Sequence, residues 1–151
     1  MTKKPTPGRG TPLFELHVAE SRPRVLLAED DDEMRALLVA GLRSDGFDVI
    51  EAKDGAELLE RLGDLFSEAG GDEGVDLVIS DIKMPFFDGL SVLAGLRRNS
   101  VKTPVILITA FGDQETHDKA RSLGASAVFD KPFDLNDLRT SALHFARVRA
   151  A

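Results

Sequence analysis

Val25-Leu26-Leu27-Ala28-Glu29-Asp30-Asp31-Asp32 runs from four apolar residues straight into four acidic ones. An apolar run this short, stopped by charge, reads as a strand buried on both faces rather than as a helix. Beyond it, Met34, Leu37, Leu38, Gly41 and Leu42 recur at helical spacing until Asp45-Gly46 breaks the pattern. Acidic residues at the start of that helix complement its dipole.

The same alternation repeats down the chain. Phe47-Asp48-Val49-Ile50 reads as a second strand, and Asp54-Gly55 opens a helix carrying Leu58, Leu59, Leu62, Leu65 and Phe66. Gly70-Gly71-Asp72-Glu73-Gly74 is a loop, and Leu77-Val78-Ile79 a third strand ending at Ser80-Asp81. A helix with Leu90, Leu93 and Leu96 follows, then Val105-Ile106-Leu107-Ile108 as the fourth strand. Gln114 to Leu123 is a rather polar helix, Ser126-Ala127-Val128-Phe129 the fifth strand, and Asp134 to about Arg147 the last helix, with Leu135, Leu138, Ala142 and Phe145 on one face. Strands each followed by a helix imply a parallel sheet covered on both faces, an α/β three-layer sandwich. Periodicity alone leaves the strand order open.

Residues 1–22 contain Pro5, Pro7, Pro12, Gly8 and Gly10 and read as a flexible arm, leaving 23–149 as the folded domain. With 42% apolar and 30% charged residues the chain has an ordinary soluble composition. It has no cysteine, which excludes disulfides and thiolate metal sites. The apolar stretch Leu13 to Ala19 is short and broken by Glu15 and His17, so neither a cleavable export signal nor a membrane span is expected, and the cytoplasm is. A net charge of −7 argues against direct nucleic-acid binding, which rests on Lys and Arg contacts to phosphate.

In open parallel sheets, ligands bind beyond the carboxyl ends of the strands. Here those ends deliver Glu29-Asp30, Asp81, Thr109-Ala110 and Asp130-Lys131-Pro132-Phe133. Gathered at one edge they make a pocket of three carboxylates, a hydroxyl and an ammonium. Three crowded carboxylates raise one another's pKa unless a hard divalent cation relieves the repulsion. Lys131 adds a compact positive charge, and Thr109 a hydroxyl that can hydrogen-bond an incoming phosphoryl group. The set suits phosphoryl transfer onto a carboxylate, an acyl phosphate.

Glu29-Asp30, Asp81-Ile82-Lys83-Met84-Pro85-Phe86-Phe87-Asp88-Gly89, Thr109-Ala110 and Lys131-Pro132-Phe133 together resemble the signature of response-regulator receiver domains of two-component systems. The resemblance covers roughly Arg24 to Arg147 and implies a flavodoxin-like doubly wound fold with strand order 2-1-3-4-5, the order of chemotaxis receivers. It implies Asp81 as phosphoacceptor. It also implies Asp30 as a direct ligand of Mg2+ or Mn2+, Glu29 as its water-mediated partner, and the Lys83 backbone carbonyl completing the protein's share of the metal shell. Thr109 would move toward the phosphoryl group, Lys131 would pair with it, and the Lys131–Pro132 bond would be cis. The implied donor is a sensor histidine kinase or histidine phosphotransfer protein. The output is an unidentified downstream protein met through the fourth helix, fifth strand and last helix, by a monomer or a phosphorylation-dependent dimer. Such a domain assists its own phosphorylation and dephosphorylation and is otherwise no enzyme.

Three features depart from the family pattern. The position that commonly holds a switching Tyr or Phe is Val128; Phe129, one residue on, belongs to the opposite face. Lys83 and Phe111 occupy positions that tune water access to the acyl phosphate, and a bulky Phe111 suggests slow self-hydrolysis. The segment from Gly63 to Gly74 is longer than most members have and reads as a surface insertion. Among rival functions, an aspartyl-nucleophile phosphatase usually has a second Asp where Lys83 stands, and a flavodoxin-type cofactor binder would not place four acids after its first strand. A degenerate receiver serving as a protein-binding scaffold stays open. The scattered His17, His117 and His144 read as surface or partly buried residues without ligand spacing. With little sequence after the last helix, a complete chain would act by protein contact or phosphate relay. A fragment would have its output elsewhere.

Overall fold

The computed structural model describes residues 22–69, 74–110 and 112–150. The sheet comprises β1 (Arg24–Ala28), β2 (Asp48–Ala52), β3 (Leu77–Asp81), β4 (Val105–Thr109) and β5 (Ala127–Asp130). The helices are α1 (Asp32–Ser44), α2 (Gly55–Ala69), α3 (Gly89–Arg98), α4 (Gln114–Ser122) and α5 (Leu135–Ala150). All pairings are parallel and the order is β2-β1-β3-β4-β5. The flavodoxin-like doubly wound expectation is therefore met.

Alternation along the central strands builds two cores. Leu26, Ala28, Val78, Val105 and Leu107 face Leu58 and Leu62 of α2, Val92, Leu93 and Leu96 of α3, and Ala120 of α4. Val25, Leu27, Leu77, Ile79, Ile106 and Ile108 face Leu38, Val39 and Leu42 of α1, and Leu138, Ala142 and Ala146 of α5. Because β1, β3 and β4 are covered on both sides, they carry unbroken apolar runs, Val25 to Ala28, Leu77 to Ile79 and Val105 to Ile108, and each large side chain buried there contributes about 1.5–3 kcal/mol. The edge strands β2 and β5 are only partly buried.

Helix ends follow local chemistry. Asp31, Asp88 and Asp113 cap α1, α3 and α4, each carboxylate accepting a backbone N–H of the first turn. Gly46 and Gly124 take φ of 97° and 98° just past α1 and α4, where a side chain would be strained. Two sequence expectations shift. β2 begins at Asp48, because Phe47 turns fully into the α1/α5 core rather than pairing in the strand. The segment read from Gly63 as a surface insertion continues α2 as far as Ala69, with Leu65 and Phe66 on the apolar face of that helix as expected. Gly74 packs against the Leu65 backbone, and Arg24 donates to Gly74 O at 3.1 Å, fixing the way into β3. The expectations for 1–21 and for the loop tip at 70–73 lie outside the described residues.

Candidate functional site

The strand order brings the C-terminal ends of β1 and β3 side by side, with β4 and β5 beyond, so residues far apart in sequence meet at one edge. Glu29 continues the ladder past β1, its N–H donating to Ala52 O at 3.1 Å. Its carbonyl accepts from Arg35 Nη1 at 2.9 Å, and its Oε2 accepts from Asp31 N at 3.0 Å, which fixes the carboxyl inward with no solvent exposure. Asp81 ends β3 and is also buried. The turn after it is held by close backbone approach. A Cβ on Gly89 would lie 2.5 Å from Asp81 O, and one on Gly55 would collide with Phe87 O. Only glycine permits these contacts.

Lys131 completes the cluster. Its Nζ lies 3.1 Å from Glu29 Oε1 and 3.1 Å from Asp81 Oδ1, and donates to Asp81 Oδ2 at 3.3 Å. Oε1 of Glu29 and Oδ1 of Asp81 are in ion-pair range of this ammonium but off hydrogen-bonding angle, so each is a buried oxygen without a hydrogen bond. The Lys131 N–H donates to Thr109 O at 2.8 Å, and Thr109 is buried at the end of β4. The Lys131–Pro132 peptide bond is cis.

The electrostatics follow from this crowding. Burial, then the hydrogen bond and charge of Glu29, push the Asp81 carboxyl up to about 8 against the pull of Lys131. Burial works the same way on Glu29, but its pairing with Asp81, the hydrogen bond from the Asp31 N–H and the Lys131 ammonium outweigh it and hold that carboxyl below its ordinary value. The two acids therefore titrate as a coupled pair, Asp81 shifted up and Glu29 down. Burial works to lower Lys131, yet the facing carboxylates keep its ammonium above the usual range.

Asp30 is exposed beside the pair, and one oxygen from each of Glu29, Asp30 and Asp81 lies within 4.8 Å of the others. Three carboxylates at that spacing, two of which also have a buried oxygen without a hydrogen bond, are a donor set that fits a hard divalent cation such as Mg2+. Lys83 and Ala110 are exposed along the rim. Val128 packs into the α2/α3/α4 core while Phe129 joins the opposite one, 6.1 Å from the Phe133 ring, as the period of a strand requires. Phe111 lies outside the described residues. Sequence reasoning passed over two features: the support of Glu29 by Arg35, and a 2.8 Å contact between His117 Nε2 and Asp130 Oδ1. A basic residue one turn past the acidic run hinted at the first. An apolar groove lies between α2 and α3, where Arg98 is the one titratable lining residue; the chemistry is at the carboxylates.

A doubly wound sheet with a carboxylate cluster and a lysine at its switch point defines a class of phosphate-handling signalling domain. The response regulator receiver domain model matches residues 25–143, and the chain belongs to that family. It is 39% identical over 150 residues to the transcriptional activator protein PfeR of Pseudomonas aeruginosa, covering 96% of this chain and 46% of that protein. It is 35% identical over 127 residues to the transcriptional regulatory protein CpxR of Escherichia coli, covering 84% of this chain and 48% of CpxR. The chain thus spans about half the length of these two relatives. Among solved structures, the Francisella response regulator 1452 receiver domain superposes with a TM-score of 0.71 at 28% identity, over 83% of this chain and 98% of that one. Receiver domains are signalling domains rather than conventional enzymes, and none of the described helices is long and apolar enough to cross a membrane.

Proposed function

We propose that this chain accepts a phosphoryl group on Asp81 from the phosphohistidine of a sensor histidine kinase or histidine phosphotransfer protein, and signals by altered protein contact. The observation that carries the reading is the buried Asp81 carboxylate beside Glu29, both in contact with the Lys131 ammonium, with Asp30 at the same edge. In the transfer, an Asp81 oxygen attacks phosphorus in line as the P–N bond to histidine breaks, giving an acyl phosphate. The attacking form is the ionised Asp81 carboxylate. Lys131 then turns from the two carboxylates to a phosphoryl oxygen, and the Thr109 hydroxyl donates to another. Glu29, Asp30, Asp81 and the Lys83 carbonyl would hold Mg2+ or Mn2+, which when bound supplies positive charge for the phosphoryl oxygens. Lys83 and Phe111 would govern how readily water reaches the acyl phosphate.

The donor sets the compartment, since a phosphohistidine made from ATP implies the cytoplasm. A net charge of −7 favours protein rather than nucleic acid as the direct partner. The transcriptional roles named for PfeR and CpxR belong to proteins of which this chain spans about half. The test is intact mass after incubation with acetyl phosphate and Mg2+. A phosphoryl-sized gain that requires metal and is absent in Asp81→Asn is expected. No gain, together with no beryllofluoride binding, would overturn the reading in favour of a receiver-shaped scaffold.

A further inference from the structure

Asp130 ends β5 immediately before Lys131, and its carboxylate touches two other parts of the molecule. His117, in the first turns of α4, places Nε2 2.8 Å from Asp130 Oδ1. The same oxygen fills the space a Cβ on Gly112 would need, so the connection leading into α4 lies directly on the carboxylate. His117 is largely buried by the contact, its side chain 16% exposed against 52% for Asp130. Asp130 shares its face of β5 with Val128, which is too small to bridge from the sheet to α4 with a polar group. The backbone is equally tied, because Thr109 lies opposite Asp130 in the ladder and accepts from the Lys131 N–H at 2.8 Å.

We propose that the His117–Asp130 pair is a latch that passes the phosphorylation state of Asp81 to α4. The proposal rests on the phosphoacceptor reading and specifies how that site is read out. With Asp81 unmodified, Lys131 is held by Glu29 and Asp81 together, Asp130 is fixed beside it, and the latch is closed. A phosphoryl group on Asp81 adds bulk and negative charge where Lys131 and Thr109 converge. Both are bonded through the backbone next to Asp130, so a displacement of about 1 Å at either takes the His117 contact beyond hydrogen-bond range. It also lifts Gly112 from the carboxylate. α4 has Ala120 as its one buried residue, so little apolar packing opposes its release. The element biased is therefore a weakly held helix, and the bias is a charge placed at its anchor.

Amide hydrogen exchange of residues 114–122, with and without beryllofluoride and Mg2+, tests this. In the wild-type chain beryllofluoride should speed exchange in α4 by at least about fivefold, the lower end of ordinary allosteric coupling. In His117→Ala, and independently in Gly112→Ala, whose methyl group displaces the Asp130 carboxylate, α4 should exchange fast without ligand and respond no further. Protection of peptides around Asp81 by beryllofluoride should remain in both variants. A wild-type-sized response in either variant would overturn the latch, as would a wild-type α4 that ignores bound beryllofluoride. No binding of beryllofluoride by the wild-type chain would overturn the phosphoacceptor reading and the latch with it.

Discussion

Arg139 grips Asp45 with two parallel hydrogen bonds, Nε to Oδ2 at 2.8 Å and Nη2 to Oδ1 at 2.7 Å. The pair joins α5 to the C-cap of α1 across 94 residues of chain, and a Cβ on Gly41 would come within 3.3 Å of the Arg139 stem. The Arg139 guanidinium holds the Asp45 carboxyl below its ordinary value. A carboxyl depressed in the folded state stabilises it above the unfolded value of about 3.9 and loses that contribution as pH falls through the folded value. Asp45→Asn should therefore lower the urea midpoint at neutral pH, with the gap to wild type closing below about pH 4. A gap that persists undiminished in acid would assign Asp45 a role independent of its charge.

Asp81 shifts the other way. Its folded carboxyl is pushed up to about 8, so between the unfolded value and that point the folded state binds the extra proton. Stability without metal should fall as pH rises over that window. Asp81→Asn should flatten the slope and stabilise the apo domain at neutral pH by about 1–2 kcal/mol, as relief of a functional site often does. Mg2+ should likewise flatten the slope, and calorimetric titration in buffers of different ionisation enthalpy should detect proton release on metal binding below about pH 8. Denaturation curves of wild type and variant across pH check the sign, and an unchanged slope would argue against the raised Asp81 carboxyl.

Phe86 takes a φ of 78° in the turn after β3 while 77% exposed. A bulky residue in the left-handed region carries strain of about 1–2 kcal/mol, partly offset on changing to glycine by the added freedom of the unfolded chain. Phe86→Gly is expected to raise stability by about 0.5–1 kcal/mol in urea denaturation. A loss would mean that the exposed ring makes contacts outweighing the strain.

Leu27 has no solvent exposure and sits in the core between the sheet, α1 and α5. Leu27→Ala should cost about 2–5 kcal/mol through lost transfer energy and the cavity left behind. Chemical denaturation with an unchanged m-value would report that loss as stability rather than a change of fold.

The central strands were legible because burial on both faces leaves an unbroken apolar run, as in Val105 to Ile108. The edge strand β2 was less so: half-exposed, it mixes Asp48 and Glu51 with Val49 and Ile50, and the adjacent Phe47 looks like strand but serves the core. Glu29, Asp30, Asp81 and Lys131 were recognisable because each lies within two residues of the end of an apolar run, and a parallel sheet aligns all such ends. The Asp45–Arg139 and His117–Asp130 pairs were not. They join separate elements, and spacing along the chain says nothing about which side chains meet across a helix–helix or helix–sheet contact.

The two margins of the sheet are β2, of five residues like the central strands, and β5, of four. Each carries exposed acid, Asp48 and Glu51 on one side and Asp130 on the other. An unpaired strand edge is a template on which a neighbouring chain can add its own backbone. Short strands and exposed acids at both margins oppose such stacking.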